Sequence, residues 1–315
     1  LRRTHQLKAQ PRQSDDWIAL NHISRNNIKD VSVKLRKEVL NVITGVAGSG
    51  KSSLISAGLK NQSDVIYVDQ KGVHASNRSN LLTYLNIFDE VRTFFSKQTG
   101  LKKSLFSYNS AGACPECHGK GVIKTELAFM PDFTQVCDVC HGTRYKPEVL
   151  EAKVDGYSIA DILALTVEEA IDFFEEQDTV VTALRALAET GLGYMALGQS
   201  MDTLSGGEMQ RVKLSKYLAH RVSDQIFVFD EPTTGLHEDD IPLLVECFNK
   251  LIEDNNTVVL IEHNLTMMTV ADWIVDIGPY AGASGGRLLF AGEPKGLLDV
   301  EESVTAKHLR RYVES

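Results

Sequence analysis

The stretch Val39-Leu40-Asn41-Val42-Ile43-Thr44-Gly45-Val46-Ala47-Gly48-Ser49-Gly50-Lys51-Ser52-Ser53 decides how the rest of the chain is read. Its first six residues form an apolar, strand-like run, and Leu54-Ile55-Ser56-Ala57 continues as a helix, so the glycines occupy a strand-to-helix turn. Glycine at 45, 48 and 50 lets the backbone curl its N–H groups inward, and the helix behind adds the positive end of its dipole. The pattern is that of a P-loop. Gly45, Gly48, Ser49, Gly50, Lys51, Ser52 and Ser53 then cradle the phosphates of ATP, with Lys51 reaching the β- and γ-phosphates and Ser52 the Mg²⁺. A glycine-rich turn that matches by chance is the alternative, and the placement between strand and helix argues against it.

With 315 residues, 43% of them hydrophobic, the chain can bury one large core or two of ordinary size. No apolar run approaches the ~20 residues of a membrane helix, and no secretory leader pattern opens the chain, so a cytoplasmic protein without membrane contact is expected. Residues 1–16 are polar, begin with Leu1 rather than Met, and lack apolar period; they are expected to be a disordered linker in a piece of a longer polypeptide. The net charge of −9 argues against coating nucleic acid by bulk charge. Between Arg92 and Lys146, however, eight basic residues face four acidic ones. A solvated face is the plain reading of that excess, and a nucleic-acid surface the functional one.

Periodicity places strands at 17–24, 31–35, 65–68, 226–229, 257–261 and 273–277, with a turn at 26–30. It places helices at 80–96, 158–165, 166–176, 180–190 and 241–251. Thr166 and Glu169 form a capping box, and Gly191 and Gly193 stop the helix before them. The aromatic positions Phe88 and Phe95 read as core rather than as a base-stacking platform. Cys247 likewise reads as core.

Cys114-Pro115-Glu116-Cys117 and Cys137-Asp138-Val139-Cys140 give two C-x2-C pairs separated by nineteen residues. Such pairs form two knuckles of a closed, structural Cys₄ site suited to Zn²⁺. A disulfide framework is the alternative. His118-Gly119 and His141-Gly142 are expected to bring backbone N–H groups to the sulfurs. The segment between the pairs alternates like a hairpin, with its turn at Met130-Pro131-Asp132.

Leu204-Ser205-Gly206-Gly207-Glu208 opens a helix and resembles the LSGGQ signature of ABC ATPases. Ile226-Phe227-Val228-Phe229-Asp230-Glu231 resembles their Walker B strand. The resemblance implies that Asp230 assists Mg²⁺, that Glu231 orients the attacking water, that Gln70 is the Q-loop glutamine and that His263 is the switch histidine. It also implies that Ser205, Gly206 and Gly207 clamp the γ-phosphate held by another P-loop, so a second ABC half is needed.

The order P-loop, Gln70, Cys pairs, signature and Walker B is similar to the C-terminal half of the excinuclease-A family of nucleotide excision repair, from about Trp17 to Gly292. Supporting phrases are Arg78-Ser79-Asn80, Gly121-Val122-Ile123-Lys124, Leu197-Gly198-Gln199-Ser200 and Ala271-Asp272-Trp273. The chain departs from the family at Lys71 to Ser76, which lack the usual Pro/Gly/Arg-rich phrase, and at Met209, where Ala is usual. Such departures also fit a paralogue linked to resistance against DNA-binding drugs. The implied fold is an α/β P-loop ABC core at 17–87 and 204–315, interrupted by an inserted helical signature domain at 88–203 with a zinc module at about 112–146. The implied partner is distorted double-stranded DNA, contacted by Arg78, Lys102, Lys103, Lys120 and Lys124. The B component of the excinuclease would bind in the family's N-terminal half. The motor of a drug exporter and a translation-associated ABC ATPase are the competing readings, and neither is expected to carry the Cys₄ insert.

Overall fold

A computed structural model describes residues 6–69, 79–125 and 133–314. Gln70, Arg78 and the turn expected at 130–132 lie outside them, as does the side chain of Lys124. The chain divides into two compact units, one formed by residues 1–70 and 220–315, the other by 71–219.

The first unit is built on a six-stranded sheet in the order Arg287–Gly292, Trp273–Gly278, Leu40–Thr44, Thr257–Ile261, Ile226–Asp230 and Val65–Val68. All neighbours pair in parallel except Arg287–Gly292, an antiparallel edge strand that the periodicity did not predict. Strands buried on both faces read as continuous apolar runs, as Leu40–Thr44 and Thr257–Ile261 do. Their register sets Ile43, Ile261 and Asp230 side by side, so the loops that follow leave the sheet at one level. Ligands of open parallel sheets bind at this carboxyl edge.

A hairpin of Trp17–Arg25 and Ile28–Arg36 accompanies the sheet. Its turn is tighter than the expected 26–30: Asn26 takes φ 54° and the strand resumes at Ile28. Ile18, Leu20, Val33 and Leu35 share a core with Leu54 and Ile55 of the P-loop helix Lys51–Gly58. Helix Ile241–Glu253 buries Leu244, Cys247, Phe248 and Leu251, so Cys247 is a core residue. Two helices near the end of the chain, Pro294–Leu297 and Val304–Glu314, were not expected. Buried Asp276 anchors the second, accepting hydrogen bonds from Ser303 Oγ at 2.5 Å and Thr305 Oγ1 at 3.0 Å.

The expected linker is corrected from Lys8 onward. Asp272, fully buried at the start of strand Trp273–Gly278, accepts from Lys8 Nζ at 2.6 Å and Arg12 N at 2.7 Å through Oδ1, and from Leu40 N at 3.0 Å through Oδ2. A buried carboxylate needs such donors, and the polar, basic composition that suggested a linker is what supplies them.

The second unit has its own core, in which Phe95, Phe106, Phe174, Leu184 and Val212 are buried. Leu81, Leu82 and Met209 belong to the same core, and the unit therefore extends beyond 88–203 at both ends. The helix expected at 80–96 is two helices, Leu81–Tyr84 and Phe88–Thr99, separated at Asn86 with φ 62°. Apolar period carries across the break because Leu85, Ile87 and Phe88 are all buried. Asn80 caps the first helix in a box with Thr83, and Ser158 with Asp161 and Thr166 with Glu169 cap Ile159–Ala164 and Val167–Phe173 in the same way. The helix Asp178–Leu187 runs into one wide turn that ends around Gly191 at φ 76°.

Candidate functional site

Gly45 follows the central strand at φ 136°, and a Cβ there would lie 1.9 Å from the carbonyl oxygen of Ile277. Only glycine fits so close to the neighbouring strand. Gly50 caps helix Lys51–Gly58 at φ 107°, and a Cβ on it would lie 2.7 Å from Ile28 Cδ1. Both constraints hold the loop in the curled form that its glycines suggested. Asn27, in the hairpin turn, donates its amide to the carbonyls of Gly48 at 3.2 Å and Ser49 at 2.8 Å, bracing the loop from outside. No sequence signal pointed to that brace, since an Asn-Asn turn reads only as a turn.

A cavity of about 300 Å³ is lined by Asn26, Asn27, Gly48, Lys51, Ser52, Ser53 and Glu231, among others. Lys51 is buried and donates its ammonium to the carbonyls of Gly45 at 2.9 Å and Val46 at 3.1 Å. Burial lowers its pKa, against the opposing pull of Glu231, Asp230, Asp276 and Glu262. Ser52 Oγ donates to Asp230 Oδ2 at 3.4 Å. A hydroxyl and a carboxylate oxygen side by side are the hard donors that Mg²⁺ would take. Burial, and next the Glu231 carboxylate, raise the pKa of Asp230, with Ser52 and Lys51 opposing. Ser49 Oγ is buried without a partner among the described residues, one polar atom that a phosphate would satisfy. A nucleotide with Mg²⁺ therefore fits the donors and acceptors present.

Asp230 ends its strand and Glu231 follows at φ 48°, an unusual conformation for a non-glycine residue, held by Glu231 N donating to Ile261 O at 2.9 Å. His263 Nδ1 lies 3.6 Å from Glu231 Oε1, and both side chains are exposed. Lys51, Ser52, Asp230, Glu231 and His263 thus gather at one edge of the first unit.

In the second unit Ser205 and Glu208 open helix Gly206–His220 with a reciprocal cap, Ser205 N donating to Glu208 Oε2 at 2.8 Å and Glu208 N to Ser205 Oγ at 3.3 Å. Gly206 and Gly207 occupy the first turn, where N–H groups lack helical partners. Tyr194 donates its hydroxyl to Glu208 Oε1 at 2.7 Å.

The four cysteines are buried, free of disulfides, and their sulfurs all lie within 4.8 Å of one another. Cys114 and Cys137 sulfurs are 3.9 Å apart, Cys117 and Cys140 sulfurs 3.6 Å apart. A tetrahedron with Zn–S bonds of about 2.3 Å has edges of about 3.8 Å. His118 and Gly119, and His141 and Gly142, all take positive φ, so both knuckles turn alike. Gly142, of the second His-Gly pair, brings its N–H to the Cys140 sulfur as expected, and Gly121 N donates to Cys117 Sγ at 3.2 Å. N–H groups of Cys140 and Val139 hold the Cys137 thiol down to about 7, whereas burial pushes Cys140 up to about 12. Strands Val122–Thr125 and Phe133–Val136 pair antiparallel between the knuckles, as the alternation suggested.

Of the basic candidates, Lys102 and Lys120 are exposed. Lys103 is engaged in an ion pair with Asp89, whose other oxygen takes Arg92, so its charge is partly matched within the unit. Phe88 and Phe95 are buried, as expected of core residues.

Comparison with known proteins gives consistent matches. A family profile described as ABC transporter matches residues 28–234. The chain is 40% identical over 332 aligned positions to UvrABC system protein A of Staphylococcus aureus (strain COL), covering 96% of this chain and 35% of that protein. The same protein of Bacillus subtilis (strain 168) is also 40% identical, with 95% and 34% covered. The chain thus spans about a third of the length of these curated relatives. The crystal structure of UvrA2 from Deinococcus radiodurans superposes with a TM-score of 0.87 at 41% identity, over 96% of this chain and 40% of that one. An ATP-binding cassette of an ABC transporter in its ADP conformation shares the fold, with a TM-score of 0.50 at 16% identity over 93% and 99% of the two chains. Among the described residues no helix is long and apolar enough to cross a membrane.

Proposed function

Because the chain belongs to the ABC transporter family, as an ABC ATPase of the UvrA type, we propose that it is one ATP-hydrolysing half of a cytoplasmic DNA-binding subunit of nucleotide excision repair. The observation that carries the ATPase reading is the gathering of Lys51, Ser52, Asp230, Glu231 and His263 beside one glycine-walled cavity. Lys51 would reach the β- and γ-phosphates, and Ser52 and Asp230 would hold Mg²⁺, which would supply charge neutralisation on the phosphoryl oxygens. Glu231 orients the attacking water, and His263 fixes Glu231 and the terminal phosphate. Phosphoryl transfer draws its rate from positioning and fixed charge, which these groups supply. Gln70, as the Q-loop glutamine, completes this set.

Ser205, Gly206 and Gly207 serve a nucleotide held by a second ABC half, on the same polypeptide or in another copy. Cys114, Cys117, Cys137 and Cys140 hold one structural Zn²⁺. Lys102, Lys120 and Lys124, with Arg78 and a partly neutralised Lys103, contact the DNA backbone, and distorted duplex is read through its shape. A role in drug resistance draws no support from the relatives named above. Equilibrium binding to lesion-bearing duplex, intact duplex and ribosomes tests the proposal. Preference for the lesion-bearing duplex is expected. Equal binding to all three, or binding to ribosomes alone, overturns it.

A further inference from the structure

Glu262 is fully buried, although it stands between two exposed side chains of the site, Glu231 and His263, at the end of strand Thr257–Ile261. Its Oε1 accepts from Thr233 N at 3.0 Å and from Thr233 Oγ1 at 2.5 Å. Its Oε2 accepts from His263 N at 2.8 Å and Asn264 N at 3.0 Å. Four donors on one carboxylate exhaust its usual accepting positions, and they come from two different segments. One segment follows Glu231 by two residues, and the other carries His263.

We propose that Glu262 is a positioning residue for hydrolysis, a carboxylate clamp that ties the segment after Glu231 to the segment bearing His263. The proposal rests on the ATPase reading above and extends it to a residue that touches no substrate. Glu231 and His263 are 3.6 Å apart, and two backbone bonds besides the Glu262 carboxylate fasten their segments. Glu231 N donates to Ile261 O at 2.9 Å, and Glu262 N donates to Ile43 O at 3.0 Å. The first bond joins Glu231 to the strand end two residues before His263, and neither bond reaches Thr233 or the backbone N–H groups of His263 and Asn264, which Glu262 holds. Burying a charge between them is unfavourable unless donors surround it, so the arrangement is a poor way to fill space and a direct way to fix two loops. Asn264, held by the same oxygen, also accepts from Thr266 N at 2.8 Å and so starts helix Leu265–Val270. The clamp therefore reaches from the carboxylate segment into the next helix.

The discriminating substitution is Glu262→Gln, which keeps the volume and shape. Its one carbonyl oxygen satisfies either the Thr233 side or the His263–Asn264 side; the NH₂ group then faces N–H donors on the other. One loop is released while the fold is retained. The expected result is a fall in kcat of between about tenfold and a hundredfold, with nucleotide affinity and KM for ATP unchanged, as for loss of positioning alone. Thr233→Val, which removes a single donor, lowers kcat in the same direction by less. Amide hydrogen exchange on the nucleotide-free protein supplies a readout independent of turnover. In Glu262→Gln, exchange quickens at Thr233 and Thr234 or at His263 and Asn264, and other segments keep their protection. An unchanged kcat in folded Glu262→Gln overturns the proposal. Where Glu231→Gln retains full turnover, the ATPase reading itself fails. The exchange arm then decides alone, and unaltered protection of both segments overturns the clamp.

Discussion

Lys51 directs its ammonium to the carbonyls of Gly45 and Val46, at the loop where phosphates would lie. Charge-assisted hydrogen bonds are worth about 1.5–3 kcal/mol each, so Lys51→Ala should weaken ATP binding by roughly tenfold to a hundredfold. Titration of a fluorescent nucleotide measures this, and an unchanged affinity would remove Lys51 from the phosphate site. Asp230 bears on pH dependence. Its pKa is raised, chiefly by burial and next by Glu231, so the fold disfavours its charged form. Asp230→Asn should therefore stabilise the nucleotide-free protein at pH 7. That gain is full above the raised pKa and disappears as pH falls toward the ordinary carboxylate value, where wild type is protonated folded and unfolded. Mg²⁺-dependent nucleotide binding should fail on the acid side at a pH above the usual carboxylate range. Thermal melts of both proteins from pH 3 to 8 check the sign, and an Asn variant less stable than wild type at pH 7 contradicts it. The residues of this site differ in how far they could be read from sequence. Lys51 and Asp230 stand in motifs whose neighbours announce them. Glu262 does not, because a glutamate before a histidine at a strand end reads as an exposed loop residue, and its burial depends on donors 29 residues away.

At the scale of elements, the paired knuckles make a strong demand on metal. Four sulfurs within 4.8 Å, one of them pushed up to about 12, are all thiolate only around a cation. One zinc per chain is expected by metal analysis of protein purified without added zinc, and its removal by a chelator should lower the melting temperature. Metal-free protein with four freely titrating thiols contradicts this. A second test concerns the capping boxes. Thr166→Ala removes the side-chain bonds to Glu169 N and to the Glu169 carboxylate, leaving only the backbone half of the box, which should cost about 1 kcal/mol in denaturant unfolding. The Thr166 box was legible because its residues lie three apart, whereas the break at Asn86 was not. Apolar spacing runs straight through Leu85 and Phe88, and only packing within the second unit imposes the turn. The binding of residues 8–12 was hidden for a similar reason: Lys8 and Arg12 look solvated until Asp272, some 260 positions later, is placed beside them.

The whole molecule is an acidic chain with a local basic excess, and its long-range behaviour follows from that distribution. Lys102 and Lys120 are exposed, whereas Lys103 is matched by Asp89. Replacing Lys120 by Ala should lower affinity for all duplexes alike and reduce the salt slope by about one unit, since each phosphate contact releases counterions. Lys103→Ala should do less. Identical affinities and slopes for wild type and Lys120→Ala would remove that side chain from the DNA surface. The architecture was legible where local pattern is strong: five of the six sheet strands, the P-loop helix and the Cys hairpin were all marked by sequence. The edge strand Arg287–Gly292 was not, because its burial is only partial and its alternation weak. The division at 70/71 and 219/220 was also missed, because a unit's limits follow its packing and not its motifs.

In the proposed function, the groups at the carboxyl edge of the sheet hydrolyse ATP, with Glu231 orienting the water. Steady-state phosphate release and equilibrium ATP binding, measured side by side on wild type and Glu231→Gln, test it most directly. Unchanged ATP–Mg²⁺ affinity and a loss of turnover of about a hundredfold or more are expected. Full turnover in the folded Glu231→Gln protein would contradict the claim.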